Sequence, residues 1–384
     1  MKSLRLLSCL LLGIALLLAP CRAFALEPLR DDDIGIAAPS AILMEKVTGQ
    51  VLYEKNADER LLPASVTKVM TLLLIVEDIE SGKLSLDDTV TASARAASFG
   101  GSCVYLEEGE QMSVHEMLKC ITVASANDCA VAMAEHLAGT EALFVERMNA
   151  RAEELGLQNT HFTNCTGLFE DAEHYSSARD IALMSRELIS HPLIKDYSTI
   201  WMDSIRDGSF GLTNTNKLVY WYEGCTGLKT GFTNGAMYCL AATAERDGTE
   251  YIAVVMHGDS SNSRNADATA LLNYGFARYT LCPLQPETPL PALPVELGAA
   301  GTVALRAEGA SAALLPKGSA EPEYLLDLPE RVNAPVEEGE VLGSLTVRLG
   351  EETLAVLPVA AAETVARIGL RPLFLRLLGS LLGL

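Results

Sequence analysis

Positive charge is scarce in this chain of 384 residues: 29 Lys and Arg stand against 50 Asp and Glu, a formal net charge of −21. So acidic a surface repels a phosphate backbone, which excludes nucleic acid as a partner. Metal-binding patterns are lacking too. The nine cysteines include no Cys-x-x-Cys pair and the six histidines form no cluster at ligand spacing, so neither a metal nor another cofactor is expected. Apolar runs of membrane-spanning length are missing: "LLSCLLLGIALLLA" near the start is too short for a permanent span. What is present suffices for folding. With 49% hydrophobic and 21% charged residues, the chain can bury more than one core, and disorder is excluded.

Residues 1–25 read as a signal peptide, with Lys2 and Arg5 before the apolar run and Ala23-Phe24-Ala25 after it. This implies export across the cytoplasmic membrane to its outer face. Cleavage removes Cys9 and Cys21, so seven cysteines remain and at least one thiol is free unless chains pair. Cys120 and Cys129, in an apolar helical stretch, read as small buried hydrophobes. Residues 26–37 form a flexible lead-in. Residues 38–281 then have an α+β pattern, opening with two strands around a turn at Thr48-Gly49. Helical periods dominate from Ser65 until "CTGLKTGFTNGAMYCLAATAERDGTEYIAVVMHGD" returns to strand alternation, with turns at Asn234-Gly235 and Asp247-Gly248. The expected packing is one antiparallel sheet from the early and late strands, flanked by the intervening helices.

Prolines 283, 286, 289, 291 and 294 mark residues 282–296 as a linker, too proline-rich for a helix or an inner strand. Residues 297–362 are short β-like runs, a small all-β domain without visible chemistry. The tail, 363–384, has no acid after Glu363 but carries Arg367, Arg371, Arg376 and many leucines. That composition suits an amphipathic helix lying in a membrane interface.

Chemistry concentrates in three motifs. Ser65 and Lys68, at i and i+3, project from one helical face, close enough for an amine to take a hydroxyl proton. Alone the spacing is weak, since about one Ser-x-x-Lys arises by chance in a chain like this and the serine could simply cap the helix. It is joined, in order, by Ser125-Ala126-Asn127 and Lys229-Thr230-Gly231. The set resembles the Ser-x-x-Lys, Ser-x-Asn and Lys-Thr-Gly motifs of penicillin-binding serine enzymes. With "AAPSAILMEKVTGQVLYEKNADERLLPASVTKVMT", "SANDCAVAMAEHLAG", "HFTNCTGLFEDAEHYSSARDIA" and "LLNYGF", the likeness covers most of residues 38–277. The chain is similar to the low-molecular-weight penicillin-binding proteins, D-alanyl-D-alanine carboxypeptidases of peptidase family S11.

The resemblance implies the penicillin-binding and β-lactamase-like fold and a role for each residue. Ser65 would attack the carbonyl of the penultimate D-alanine of a peptidoglycan pentapeptide stem and form an acyl-enzyme. Lys68 would be the base, its pKa lowered by burial and by the charge of Lys229, a task arginine could not perform. Ser125 would relay the proton to the leaving D-alanine, while Asn127 would hold the substrate's peptide group. Lys229 and Thr230 would bind the terminal carboxylate. Gly231 lets the strand edge approach the substrate, and the N–H groups of Ser65 and Phe232 would form the oxyanion hole. β-Lactam antibiotics would acylate Ser65 and leave slowly, and the tail would bring the protein to the membrane surface.

Rival readings are a non-catalytic peptidoglycan-binding or β-lactam-sensing protein, and a class A β-lactamase. The second lacks its loop glutamate here, since no Glu-x-x-Leu-Asn pattern occurs. Ser260-Ser261-Asn262 and Ser263-Arg264-Asn265 also fit Ser-x-Asn but follow the Lys-Thr-Gly, the wrong order. His161, His174, Arg179 and Asp180 read as organisers of a loop, and Cys103 as a thiol near the mouth of the site.

Overall fold

Pro28 and residues 34–382 are described in the computed structural model of the chain. The signal peptide expected over 1–25, and most of the lead-in, lie outside them. Strands Ser40–Glu45 (β1) and Val51–Lys55 (β2) form a hairpin whose turn is closed by Glu45, whose carboxylate accepts from the N–H groups of Val47 (2.8 Å) and Thr48 (2.7 Å). Cys225–Thr233 (β3), Met237–Arg246 (β4) and Thr249–Gly258 (β5) follow much later in the chain. All five join one antiparallel sheet in the order β2-β1-β5-β4-β3. The turns at Asn234-Gly235 and Asp247-Gly248 connect β3 to β4 and β4 to β5. Because the chain places β3 last in that order, the Lys-Thr-Gly strand is an edge, with one row of backbone groups left for a further extended segment.

The longer helices are Lys68–Glu80 (α1), Val114–Val123 (α2), Asn127–Ala138 (α3), Glu141–Glu154 (α4), Ala178–Leu188 (α5) and Ser261–Arg278 (α6); α5 and α6 pack on the sheet, α1 meets β3, and α2, α3 and α4 pack on α1. The apolar run of α1, interrupted by Thr71, is explained by its burial on nearly every side, from Val69 through Val76. Each Leu or Ile enclosed there contributes about 1.5–3 kcal/mol. Caps set the helix starts. Ser113 and Glu116 close a capping box on α2, and Thr140 and Ser177 each accept a backbone N–H at α4 and α5. The early hairpin, helical middle and late strands therefore form the expected α+β arrangement.

Residues from Tyr279 onward form a separate unit. A four-stranded antiparallel sheet, ordered Leu305–Ala307, Glu352–Ala361, Val341–Leu349 and Glu323–Asp327, buries Val303, Leu345, Val347, Leu357 and Val359. The stretch expected as a linker carries strands at both ends, Tyr279–Pro283 and Leu293–Glu296. The second is even an inner strand of a three-stranded sheet despite Pro294. Its ladders are only two residue pairs long, and Val295 N–H, which donates to Gly301, carries the bonding that proline cannot. Leu370–Leu382 is helical and leaves Leu370, Phe374, Leu375 and Leu378 exposed. Among the described residues, no helix is long and apolar enough to cross a membrane.

Candidate active site

Ser65 lies in a 3₁₀ turn, Ala64–Thr67, that runs directly into α1. Ala64 holds φ at +48°, a left-handed conformation that costs a non-glycine residue about 1–3 kcal/mol and re-aims the next side chain. The bland reading of Ser65 fails here, for neither the turn nor α1 has a side-chain cap. Its Oγ faces Lys68 Nζ instead, at 3.0 Å.

Lys68 is wholly buried, and its Nζ has two further neighbours, Asn127 Oδ1 at 2.6 Å and the carbonyl oxygen of Thr166 at 3.1 Å. Asn127 Nδ2 donates to Gly100 O at 2.8 Å, so its oxygen is the atom turned to the lysine. A neutral amine has two N–H bonds and one lone pair. Two of the three neighbours can only accept, which leaves the Ser65 hydroxyl as the one group that can donate to the lone pair. Burial lowers the Lys68 pKa to about 7, while Cys165, Cys103 and Asp128 push it upward. Lys229 is held well below the ordinary lysine value by burial first, then by the charges of Lys68 and Arg264.

The other two motifs close around this pair. Ser125 ends the turn between α2 and α3 at φ +63°, and its Oγ lies 2.7 Å from Lys229 Nζ. Lys229 also donates to the carbonyl of Thr230 (3.0 Å), and the Thr230 hydroxyl donates to Thr215 Oγ1 at 2.8 Å. Gly231 brings β3 against the nucleophile's turn: a Cβ there would lie 2.7 Å from Pro63 O and 3.2 Å from Ser65 N. Phe232 follows, half exposed, its ring 4.4 Å from that of Tyr238. Four elements far apart in sequence thus meet at Ser65: the Ala64–Thr67 turn, the α2–α3 turn, β3, and the loop that carries Thr166.

That loop was not visible as part of the site from motifs. Thr166 acts through a backbone carbonyl, which leaves no trace in residue type. Its position comes from Asn164, whose Oδ1 accepts from the N–H groups of Thr166 (3.1 Å) and Gly167 (2.7 Å). Thr215 and Arg264 were missed as well. Arg264, inside one of the decoy Ser-x-Asn matches, sits on α6 with its guanidinium 5.9 Å from the Tyr238 ring. Of the residues read as loop organisers, Arg179 pairs with Glu54 (2.6 Å) and Asp58 (2.8 Å), and Asp180 accepts from Asn159 N–H and the Thr160 hydroxyl. Cys120 and Cys129 are buried and unbridged, and Cys103 is half-buried. Elsewhere Glu77, Glu187 and His191 gather at ligand distances, but Arg151 Nη2 lies 2.7 and 2.8 Å from the two carboxylates, where a cation would sit.

The arrangement can run nucleophilic acyl transfer: a hydroxyl beside a neutral buried amine, a second hydroxyl on a second lysine, and an open strand edge. A family model for D-alanyl-D-alanine carboxypeptidases matches residues 27–260, and one for the C-terminal domain of penicillin-binding protein 5 matches residues 288–367. The chain is 42% identical over 382 residues to the D-alanyl-D-alanine carboxypeptidase DacF of Bacillus subtilis, with 98% of each covered. It is 32% identical to DacA of Escherichia coli K12 over 92% of each. Among solved structures it is similar to penicillin-binding protein 5 from Haemophilus influenzae, with TM-score 0.74, 29% identity, and 89% of this chain and 100% of that one covered. Penicillin-binding protein 6B from Escherichia coli gives TM-score 0.70 at 30% identity, covering 87% and 97%.

Proposed function

The chain belongs to the D-alanyl-D-alanine carboxypeptidase family, peptidase S11, and on that premise we propose that Ser65 is the nucleophile by which it trims peptidoglycan stems. The observation that carries this is the environment of Lys68. Two obligatory acceptors take its N–H bonds, so the lone pair points at the Ser65 hydroxyl. With a pKa of about 7, roughly half of the amine is neutral at neutral pH and ready to act as base.

Ser65 attacks the carbonyl of the penultimate D-alanine while Lys68 takes its proton. The oxyanion forms beside Ser65 N–H and the N–H of Phe232 on the β3 edge, donors each worth about 3 kcal/mol in such sites. Ser125, held by Lys229, relays the proton taken by Lys68 to the departing D-alanine nitrogen. Lys229 and Thr230 receive the terminal carboxylate, whose negative charge favours the protonated form of Lys229. That charge in turn holds Lys68 neutral, so substrate binding itself prepares the base. Asn127 fixes Lys68 through Oδ1 and lines the substrate's peptide group. Water then frees the shortened stem. A β-lactam opens on Ser65 by the same attack.

Export by residues 1–25 and attachment through the tail complete the proposal: the exposed Leu370, Phe374, Leu375 and Leu378, with Arg371 beside them, suit a helix lying on the outer face of the cytoplasmic membrane. The deciding experiment measures D-alanine released from a pentapeptide stem by wild type and Ser65→Ala. Release by wild type and none by the variant is expected. Release that survives the substitution would refute Ser65, binding without any release would favour a sensor, and rapid nitrocefin turnover would favour a β-lactamase.

A further inference from the structure

His174 is almost fully buried, and each of its ring nitrogens is engaged. Nδ1 faces the backbone N–H of Thr163 at 3.0 Å and Asn164 Nδ2 at 3.3 Å, both donors, with Thr163 Oγ1 at 3.4 Å. Nδ1 must therefore be the bare nitrogen. The ring proton, placed on Nε2 by this network, is donated to Thr67 Oγ1 at 2.8 Å. The titratable groups facing the ring are Asp171 and His161; burial, aided by His161, outweighs Asp171 and pushes the pKa down to about 4, so the imidazole is neutral at working pH.

Thr67 is the last residue of the nucleophile's turn, adjacent to Lys68. Asn164 is the residue whose Oδ1 places Thr166, a neighbour of Lys68. His174 thus touches both walls of the slot that holds the amine: the Ala64–Thr67 turn on one side, the Thr163–Gly167 loop on the other. The walls are in direct contact, since a Cβ on Gly167 would lie 1.8 Å from Ala64 O and 2.6 Å from Thr67 Oγ1. Burial is what lowers the Lys68 pKa, and the width of this slot sets that burial.

We propose that His174 is a positioning residue for the reaction, a neutral clamp between Thr67 and the Thr163–Asn164 segment that keeps the Thr166 carbonyl and the Ser65 turn closed around Lys68. The inference rests on the reading of Lys68 as base. Opening the clamp admits water, relieves the burial and lets the amine pKa climb toward its ordinary value. Of the groups facing Lys68, Cys103, Asp128 and Lys229 lie outside the clamped segments, whereas Cys165 belongs to the Thr163–Gly167 loop and moves with it.

The test follows Ser65 acylation by a fluorescent penicillin from pH 5.5 to 9.5 in the full chain, with unfolding monitored in parallel. Wild type shows an acid limb near 7. His174→Leu moves the limb up by about one pH unit, so labelling at pH 7 falls about fivefold and recovers by about pH 9. His174→Gln, which can accept at Oε1 and donate at Nε2, keeps the limb in place and stays within about threefold of wild type. Thr67→Val, nearly isosteric, breaks only the Nε2–H bond and moves the limb in the same direction; it decides the matter if His174→Leu does not fold. An unmoved limb with a uniform loss of rate at every pH would overturn the clamp and leave His174 as packing. A wild type without any limb would overturn the Lys68 reading itself, a distinct result.

Discussion

Replacing Lys68 by methionine tests the base through rate and through stability. The folded amine titrates at about 7, against 10.5 when solvated. This depressed value means the unfolded chain holds the proton more tightly, so Lys68 opposes folding wherever the unfolded amine is charged. The full penalty, about 5 kcal/mol at 1.36 kcal/mol per pKa unit, applies below pH 7. It fades as the pH rises from 7 to 10.5, with about 2 kcal/mol recovered by pH 9. Lys68→Met removes the penalty but leaves Asn127 Oδ1 and the Thr166 carbonyl without a donor, at about 1–3 kcal/mol each. The two effects nearly offset at neutral pH, so the signature is the slope with pH. Urea unfolding at pH 7 and pH 9 should show wild type gaining about 2 kcal/mol on the variant. Lys229, freed from its neighbour's charge in the variant, changes the difference in the same sense. Wild-type labelling by fluorescent penicillin should rise with pH and level off above about 7, while the variant labels at least about a thousandfold more slowly. Parallel stability profiles, or labelling that still climbs beyond pH 9, would mean an ordinary solvated ammonium and would defeat the reasoning.

Gly231→Ala pushes a methyl group against Pro63 O and Ser65 N, moves the β3 edge off the nucleophile, and should slow penicillin labelling about a hundredfold. Gly167→Ala combines φ +71° with a 1.8 Å approach to Ala64 O; a loss of about 3 kcal/mol or more in urea unfolding, or failure to fold, is expected. Ser125→Ala deprives Lys229 of its 2.7 Å partner and the leaving group of its proton, so D-alanine release should fall about a hundredfold, as read by a release assay, in a protein that still folds. Deleting 370–382 should abolish co-sedimentation with anionic lipid vesicles and leave D-alanine release unchanged, and vesicle binding that persists would refute the anchoring role.

Much of the site was legible because its chemistry is carried by side chains in short motifs. Ser65, Lys68, Ser125, Asn127, Lys229 and Thr230 announce themselves by type, order and spacing, and the structure brings all six together. Thr166 could not be found that way, since any residue supplies a carbonyl. Thr215 gave no motif, and Arg264 lay inside a pattern that the order of motifs had set aside. The strand at Leu293–Glu296 was obscured by Pro294, because composition does not reveal how short a ladder can be and still pair.

Residue types and periodicity by themselves determined which reactive groups exist and the α+β class, and the ordered motifs carried the resemblance to the peptidase family. Proton affinity was beyond them: a lysine is a base or a charge according to how much water reaches it, and that depends on the Thr166 loop, the Ala64–Thr67 turn and α3 closing on one amine from distant parts of the chain. The same enclosure makes burial the first cause of the lowered proton affinity at both lysines. Only the folded arrangement decides it, because desolvation is a property of packing density around an atom, and no local stretch of sequence carries that.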